Sequence, residues 1–269
     1  MEDSCRYYGL GGDPFRKGNP GHKPFLSQDH KEAVGMLDQA KLSRELTVLT
    51  AAPGMGKSYA LHTFCRKLDA KKYETHYLCL STVTVPEFYR EICRTFGLDV
   101  RYGRSTMYRA FKDRIDTLNR NHYCPILIID EAQELRSDVL RELKSLLNFK
   151  MDTENAFLLV LAGEPSLNTT LRKGIYDSLY QRVRFHYNFH GLSPEETEAY
   201  VRDKIIQSGG SDTIITPAGM EAVIGTGRGT PRIIDQIMSY ALDLGYQEKR
   251  TVLDADIIMA ASSARELCG

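Results

Sequence analysis

The sequence predicts an α/β domain, a five-stranded parallel P-loop sheet with helices on both faces, followed by a small all-helical domain. Three observations carry that expectation. Short runs of large aliphatic and β-branched residues, such as 46–50 and 125–129, alternate with amphipathic helical stretches, the order of βα units. The first of these strands runs into a glycine-bearing turn that ends in Gly56-Lys57-Ser58. Beyond Gly191 the strand patterns stop and only helix patterns remain. The chain therefore divides into an N-terminal arm packed on the core over 1–26, an α/β domain over 27–191 and a helical lid over 192–269.

Composition narrows the class. The 269 residues suffice for a large core or two domains. Charge balances at 35 Lys and Arg against 35 Asp and Glu, so nucleic-acid or membrane binding would have to come from a local patch. Six cysteines are scattered without a Cys-x-x-Cys pair, which reads as buried reduced thiols and not as a disulfide frame or zinc site. The longest apolar runs, near 126–129 and 156–162, are too short to cross a bilayer, and residues 1–12 lack the apolar centre of a secretion signal. These features predict a cytoplasmic protein that does not enter the membrane.

Taken in order, the arm is dense in Gly and Pro, yet Tyr8, Leu10, Phe15 and Phe25 need a surface to bury against. An amphipathic helix over 27–43 follows, with Ser27 as its cap. The strand at 46–50 then enters Ala51-Ala-Pro-Gly-Met-Gly-Lys-Ser58. Gly54 and Gly56 allow several N–H groups to point into one concavity, and the helix opened by Lys57 turns its positive end toward it. Such a cup binds phosphate. Pro53, Gly54, Met55, Gly56, Lys57, Ser58 and Tyr59 would line it, with Lys57 on the β- and γ-phosphates and the Ser58 hydroxyl on magnesium. Ala51 replaces the usual first glycine, which predicts a slightly constrained turn and no lost chemistry.

A second strand at 75–80 ends in Ser81 and Thr82, and Pro86 starts a helix that Gly97 stops. Residues 99–120 are the most basic segment, with six basic against three acidic side chains and Tyr102 and Tyr108 among them. They read either as a solvated helix face or as a nucleic-acid patch. In 124–133, four consecutive large aliphatics run into Asp130 and Glu131, an acidic pair tolerable only at the open end of a sheet, facing a cation or water. Paired with the phosphate-binding turn, this predicts a Walker B element: Asp130 in the magnesium shell and Glu131 polarising the attacking water. ATP and Mg2+ are the expected cofactors. A helix over 138–150 and a fourth strand at 156–161 lead to Glu164, which either senses the nucleotide or caps the helix begun by Pro165. A fifth strand over 183–189 precedes helices at 195–208, 216–224, 231–245 and 254–266.

These motifs together resemble an AAA+ ATPase. Closer still, Tyr8-Gly-Leu with Asp13-Pro-Phe, Ile128-Ile-Asp-Glu-Ala-Gln133, Leu140 to Asn148, Leu161-Ala-Gly-Glu-Pro-Ser-Leu167, Gln181-Arg-Val and Gly229-Thr-Pro-Arg232 resemble the ExeA/GspA-like group over nearly the whole chain. The resemblance implies ATP held between subunits, with Arg182 as the arginine finger given to a neighbour and Arg232 as sensor 2. Glu164 departs from the neutral residue usual at sensor 1. Some such relatives are secretion-associated and carry a membrane span and a cell-wall-binding module. Others are stand-alone ATPases like TnsC and MuB, which form ATP-dependent filaments on double-stranded DNA beside a DDE transposase. A chain reaching Gly269 without a span favours the second setting, in which Arg101, Arg104, Arg109 and Lys112 would face DNA. The expected role is an ATP-dependent ring or helical filament on target DNA that recruits or activates a DDE transposase, the alternatives being a secretion ATPase or a nucleotide switch with little turnover.

Overall fold

The computed structural model describes residues 2–16, 23–80, 82–99 and 103–267. Expectations falling on Ser81, Arg101, Tyr102 and Cys268 lie outside the described residues. In chain order the elements are α1 (Glu2–Tyr7), α2 (Gln28–Ser43), β1 (Leu46–Thr50), α3 (Lys57–Lys67), β2 (Tyr73–Cys79), α4 (Val85–Thr95), α5 (Arg104–Arg120), β3 (Cys124–Asp130), α6 (Ser137–Leu147), β4 (Leu158–Gly163), α7 (Ser166–Leu171), α8 (Asp177–Tyr180), β5 (Val183–Asn188), α9 (Pro194–Gln207), α10 (Pro217–Gly227), α11 (Pro231–Gln247) and α12 (Ala255–Leu267). They form two compact units, one of residues 30–189 and one of 1–29 with 190–269.

The first unit is an all-parallel five-stranded sheet in the order β2-β3-β4-β1-β5. Successive side chains of a strand point to opposite faces, so a central strand covered on both sides must be apolar throughout. β3 shows this residue by residue. Ile126 and Ile128 join Leu37, Ala60 and Phe64 on one face, while Leu127 and Ile129 join Phe88, Ile92, Phe111 and Leu143 on the other. β1, β3 and β4 are buried along their whole length. β5, at an edge, alternates between half-buried and exposed positions. Each fully buried large side chain contributes about 1.5–3 kcal/mol relative to exposure.

The second unit gathers α1 and α9 to α12 around Val201, Ile205, Ile234, Ile237, Met238 and Ile258. α9 opens with a capping box in which Ser193 accepts from the N–H of Glu196 and the Glu196 carboxylate accepts from the N–H of Ser193. The arm's Tyr8, Leu10 and Phe15 are buried in this helical cluster, and the Tyr8 hydroxyl donates to the carbonyl of Arg250 at 2.9 Å. The aromatic residues of the arm thus find their apolar surface among the helices of this unit. One correction concerns cysteine: Cys5, Cys93 and Cys124 are buried, but Cys79 is exposed on the edge strand β2. No helix among the described residues is long and apolar enough to cross a membrane.

Candidate nucleotide-binding site

β1 and β3 flank β4, and the chain leaves both at the carboxyl edge of the sheet. After β1 the backbone turns through Gly54 at φ 86° and Gly56 at φ 97°, left-handed values that glycine adopts without a Cβ penalty. α3 then starts at Lys57 with no side-chain cap. The first N–H groups of a helix have no intrahelical partner, so Lys57, Ser58 and Tyr59 offer a row of donors at the positive end of the helix dipole. Ser58 and Tyr59 are exposed there. This donor set, closed by an ammonium, fits a chain of phosphates. Ala51 has a negative φ and its N–H donates to the carbonyl of Gly163 at 3.1 Å, so this position has no need of a glycine backbone.

The acidic pair faces that turn. Asp130 is 2% and Lys57 8% exposed, and Lys57 Nζ lies 2.5 Å from Asp130 Oδ1 and 3.3 Å from Glu131 Oε1. The Tyr77 hydroxyl donates to Asp130 Oδ2 at 2.7 Å. Desolvation, then the hydrogen bond to Asp130 and that carboxylate's charge, push the Tyr77 phenol well above its usual range, which keeps it a donor. Glu131 adopts φ 53° and ψ 37°, a left-handed conformation costing a non-glycine residue about 1–3 kcal/mol. Its side chain is 41% exposed. Gln133 Nε2 donates to Glu131 Oε2 at 2.8 Å, and Gln133 Oε1 accepts from the N–H of Glu164 at 2.9 Å. A buried cation between two carboxylates, beside an uncapped helix start, can exchange its carboxylate partners for phosphate oxygens. Among the described residues no cluster of three or more His, Cys, Asp or Glu could hold a metal ion. A divalent ion would therefore depend on phosphate oxygens together with Ser58 and Asp130, the usual arrangement for magnesium.

Tyr77 and Gln133 were not legible as site residues. Tyr77 is an ordinary aromatic on a strand, and Gln133 a polar residue in a turn; only the pairing of β2 with β3 and the short 3-10 turn Ala132–Glu134 bring them to the acids.

The other expected positions fall as follows. Glu164 does not cap α7 with its side chain; Pro165 takes the cap position, and the Glu164 carbonyl accepts from the N–H of Leu167 at 3.0 Å. Arg182 directly precedes Val183, which is level with Leu46 at the amino end of β1, whereas the phosphate-binding turn follows Thr50, level with Asn188. Five residues of strand separate the two levels, about 16 Å at 3.3 Å per residue. That exceeds the reach of an arginine side chain. Arg232 is exposed in the first turn of α11, in the helical unit. Arg104 forms a fork to both oxygens of Glu142 at 2.7 and 2.6 Å and lies over the Tyr89 ring. Lys112 Nζ sits 3.3 Å from the centre of the Phe149 ring and donates to the carbonyl of Asn148, and burial pushes its pKa down to about 8. Arg109 is exposed on α5 with no hydrogen-bond or ion-pair partner among the described residues.

Residues 40–171 match a family profile described as an AAA domain. The chain is 27% identical over 261 residues to the general secretion pathway protein A of Aeromonas hydrophila, covering 95% of this chain and 47% of that protein. It thus spans about half the length of that relative. Among solved structures, ORC2 of Aeropyrum pernix in its ADPNP–ADP complexes superposes with a TM-score of 0.64 at 14% identity, covering 93% of this chain and 71% of that one. Cdc6p of Pyrobaculum aerophilum gives 0.63 at 15% identity, covering 89% and 67%. The Holliday junction branch migration motor RuvB of Thermotoga maritima gives 0.57 at 20% identity, covering 88% and 68%. The fold is that of the P-loop AAA+ ATPases.

Proposed function

We propose that this chain, an AAA+ ATPase by fold, binds Mg·ATP at the Lys57 turn, hydrolyses it with Glu131, and uses the nucleotide to control assembly with copies of itself on double-stranded DNA. The observation that carries the reading is the Lys57–Asp130–Glu131 constellation, a buried ammonium held by two carboxylates at the mouth of an uncapped helix. In this reading the backbone from Pro53 to Tyr59 and the Lys57 ammonium hold the phosphates. Ser58 and Asp130 hold the ion, and Glu131 takes the proton of the water that attacks the γ-phosphorus as the bond to ADP breaks. Bound magnesium would neutralise charge on the phosphate oxygens.

The strand-length gap between Arg182 and its own phosphate turn supports its use by a neighbouring copy, where a guanidinium against the transferring phosphoryl is worth about 10³–10⁵ in rate. Arg232 would read the nucleotide from the helical unit. On DNA, Arg109 is the first phosphate contact to consider, since Arg104 and Lys112 have partners within the chain. Many subunits with few contacts each can still hold a duplex firmly. The arm, Walker B and Gly229-Thr-Pro-Arg232 motifs resemble the ExeA/GspA-like group, and the resemblance of some of that group to transposon-encoded ATPases supports recruitment or activation of a DDE transposase as the downstream event. The relation to general secretion pathway protein A favours a second reading, a secretion-associated ATPase.

Mixing two inactive variants tests the shared site. Arg182→Ala retains Glu131, and Glu131→Gln retains Arg182, so a mixed assembly contains some complete sites and regains turnover. Two variants that bind ATP and yet recover nothing when mixed contradict the shared site. Duplex DNA at low salt should enlarge the ATP-bound assembly and stimulate turnover; indifference to DNA rejects that part and leaves the secretion reading.

A further inference from the structure

Glu131 as the group that directs water has a problem of orientation. Its flexible side chain is 41% exposed, and a misplacement of about 1 Å at a reacting group can cost about 10²-fold in rate. In the structure two donors hold it: Lys57 on Oε1 at 3.3 Å and Gln133 on Oε2 at 2.8 Å. If Lys57 turns to the phosphates when nucleotide binds, the Gln133 contact is the one that remains on the carboxylate among the described residues.

Gln133 is suited to the task because its own amide is fixed at both ends. A carboxylate oxygen must face a donor and a backbone N–H must face an acceptor, so Nε2 toward Glu131 and Oε1 toward the N–H of Glu164 is the one orientation that satisfies both. The left-handed turn at Glu131 starts the 3-10 turn that brings Gln133 back over the acid two residues earlier in the chain. Gly163 leaves the space: a Cβ there would lie 2.6 Å from Gln133 Oε1, 3.3 Å from Leu167 Cδ2 and 3.4 Å from the Ala132 nitrogen. The carbonyl of that same Gly163 accepts from Ala51 at the root of the phosphate-binding turn. A continuous line of hydrogen bonds and peptide units therefore runs from the turn through the end of β4 and Gln133 to the Glu131 carboxylate.

We infer that Gln133 is a positioning residue that holds the Glu131 carboxylate on the attacking water and ties its orientation to the end of β4 and the phosphate-binding turn. This inference rests on the hydrolytic reading of Glu131.

Gln133→Glu tests it. The variant keeps the size of the side chain and an acceptor for the Glu164 N–H, so whatever structural role Gln133 has is conserved. Only the donor facing Glu131 is replaced, by a like-charged acceptor that drives the Glu131 carboxylate away. Steady-state ATPase assays, ATP affinity from a fluorescent nucleotide and thermal unfolding are measured on the full chain. The expected result is a kcat lowered by about 10²-fold, with ATP affinity and unfolding temperature those of the parent. Gln133→Ala, which removes the donor without adding charge, lowers kcat in the same sense. Parent-like kcat in Gln133→Glu, or loss of ATP affinity in step with kcat, overturns the inference. Glu131→Gln measured alongside separates the two claims. Its inactivity beside a parent-like Gln133→Glu overturns the positioning role alone; parent-like turnover in Glu131→Gln removes the hydrolytic reading and this inference with it.

Discussion

Replacing Lys57 with Ala should do more than abolish nucleotide binding. It removes the cation that lies 2.5 Å from a carboxylate only 2% exposed, leaving Asp130 with the Tyr77 hydroxyl and the Glu131 N–H as its remaining partners. Taking one partner from a buried ion pair costs about 3–5 kcal/mol, because the other charge stays buried and uncompensated. Domains are stable by only about 5–15 kcal/mol, so the nucleotide-free α/β unit should unfold at a clearly lower urea concentration. Neutralising the survivor with Asp130→Asn in the same chain removes the stranded charge and should return most of the loss, although neither protein binds ATP. The sequence has no tryptophan, so circular dichroism or tyrosine fluorescence follows the transition. Chains of more than one compact unit need not unfold in a single transition, and the shift is expected in the transition of residues 30–189, which hold the pair. A Lys57→Ala protein with the parent's midpoint, or a double variant no better than the single one, would refute the reasoning.

Three further outcomes follow from other parts of the structure. Arg104→Ala should lower stability by about 1 kcal/mol through loss of the Glu142 fork. Arg109→Ala should leave the urea midpoint unchanged and weaken binding to any duplex, with a salt dependence shallower by about one counterion; equal DNA affinity would remove Arg109 from the interface. Burial, then the charge of Lys67, holds the His30 imidazole below its usual range. The native state therefore resists a proton that the unfolded chain accepts below about pH 6.5. Its contribution to stability is present above that pH and is lost as the pH falls through the lower native value. Urea midpoints measured from pH 7.5 downward should fall less steeply in His30→Gln; identical slopes would contradict the assignment.

What could be read from the sequence depended on the range of the interaction. The doubly buried strands β1 and β3 were legible because burial on both faces demands an unbroken aliphatic run, and the glycines of the phosphate turn because local backbone angles demand them. The ends of β2 and β4 shifted by one or two residues, since strand ends are set by partners such as Tyr73↔Cys124 and Thr50↔Gly163 and not by propensity. The specific partners of Arg104 and Lys112 could not be read from the basic segment because Glu142 and Phe149 lie on or beyond the next helix and far along the chain. The capping alternative for Glu164 came from Pro165 as a helix-start signal, but that same proline occupies the cap position itself. The contacts of Tyr77 and Gln133 with the acidic pair exist only in the tertiary structure.

The central claim is that the Lys57 turn holds the phosphates while Glu131 directs the water, and one sample of Glu131→Gln puts both halves under measurement. ATP bound at equilibrium and phosphate released over time are recorded on the same protein with magnesium present. The account predicts parental ATP affinity with phosphate release slowed by at least about 10²-fold. Phosphate released at the parent's rate would contradict it.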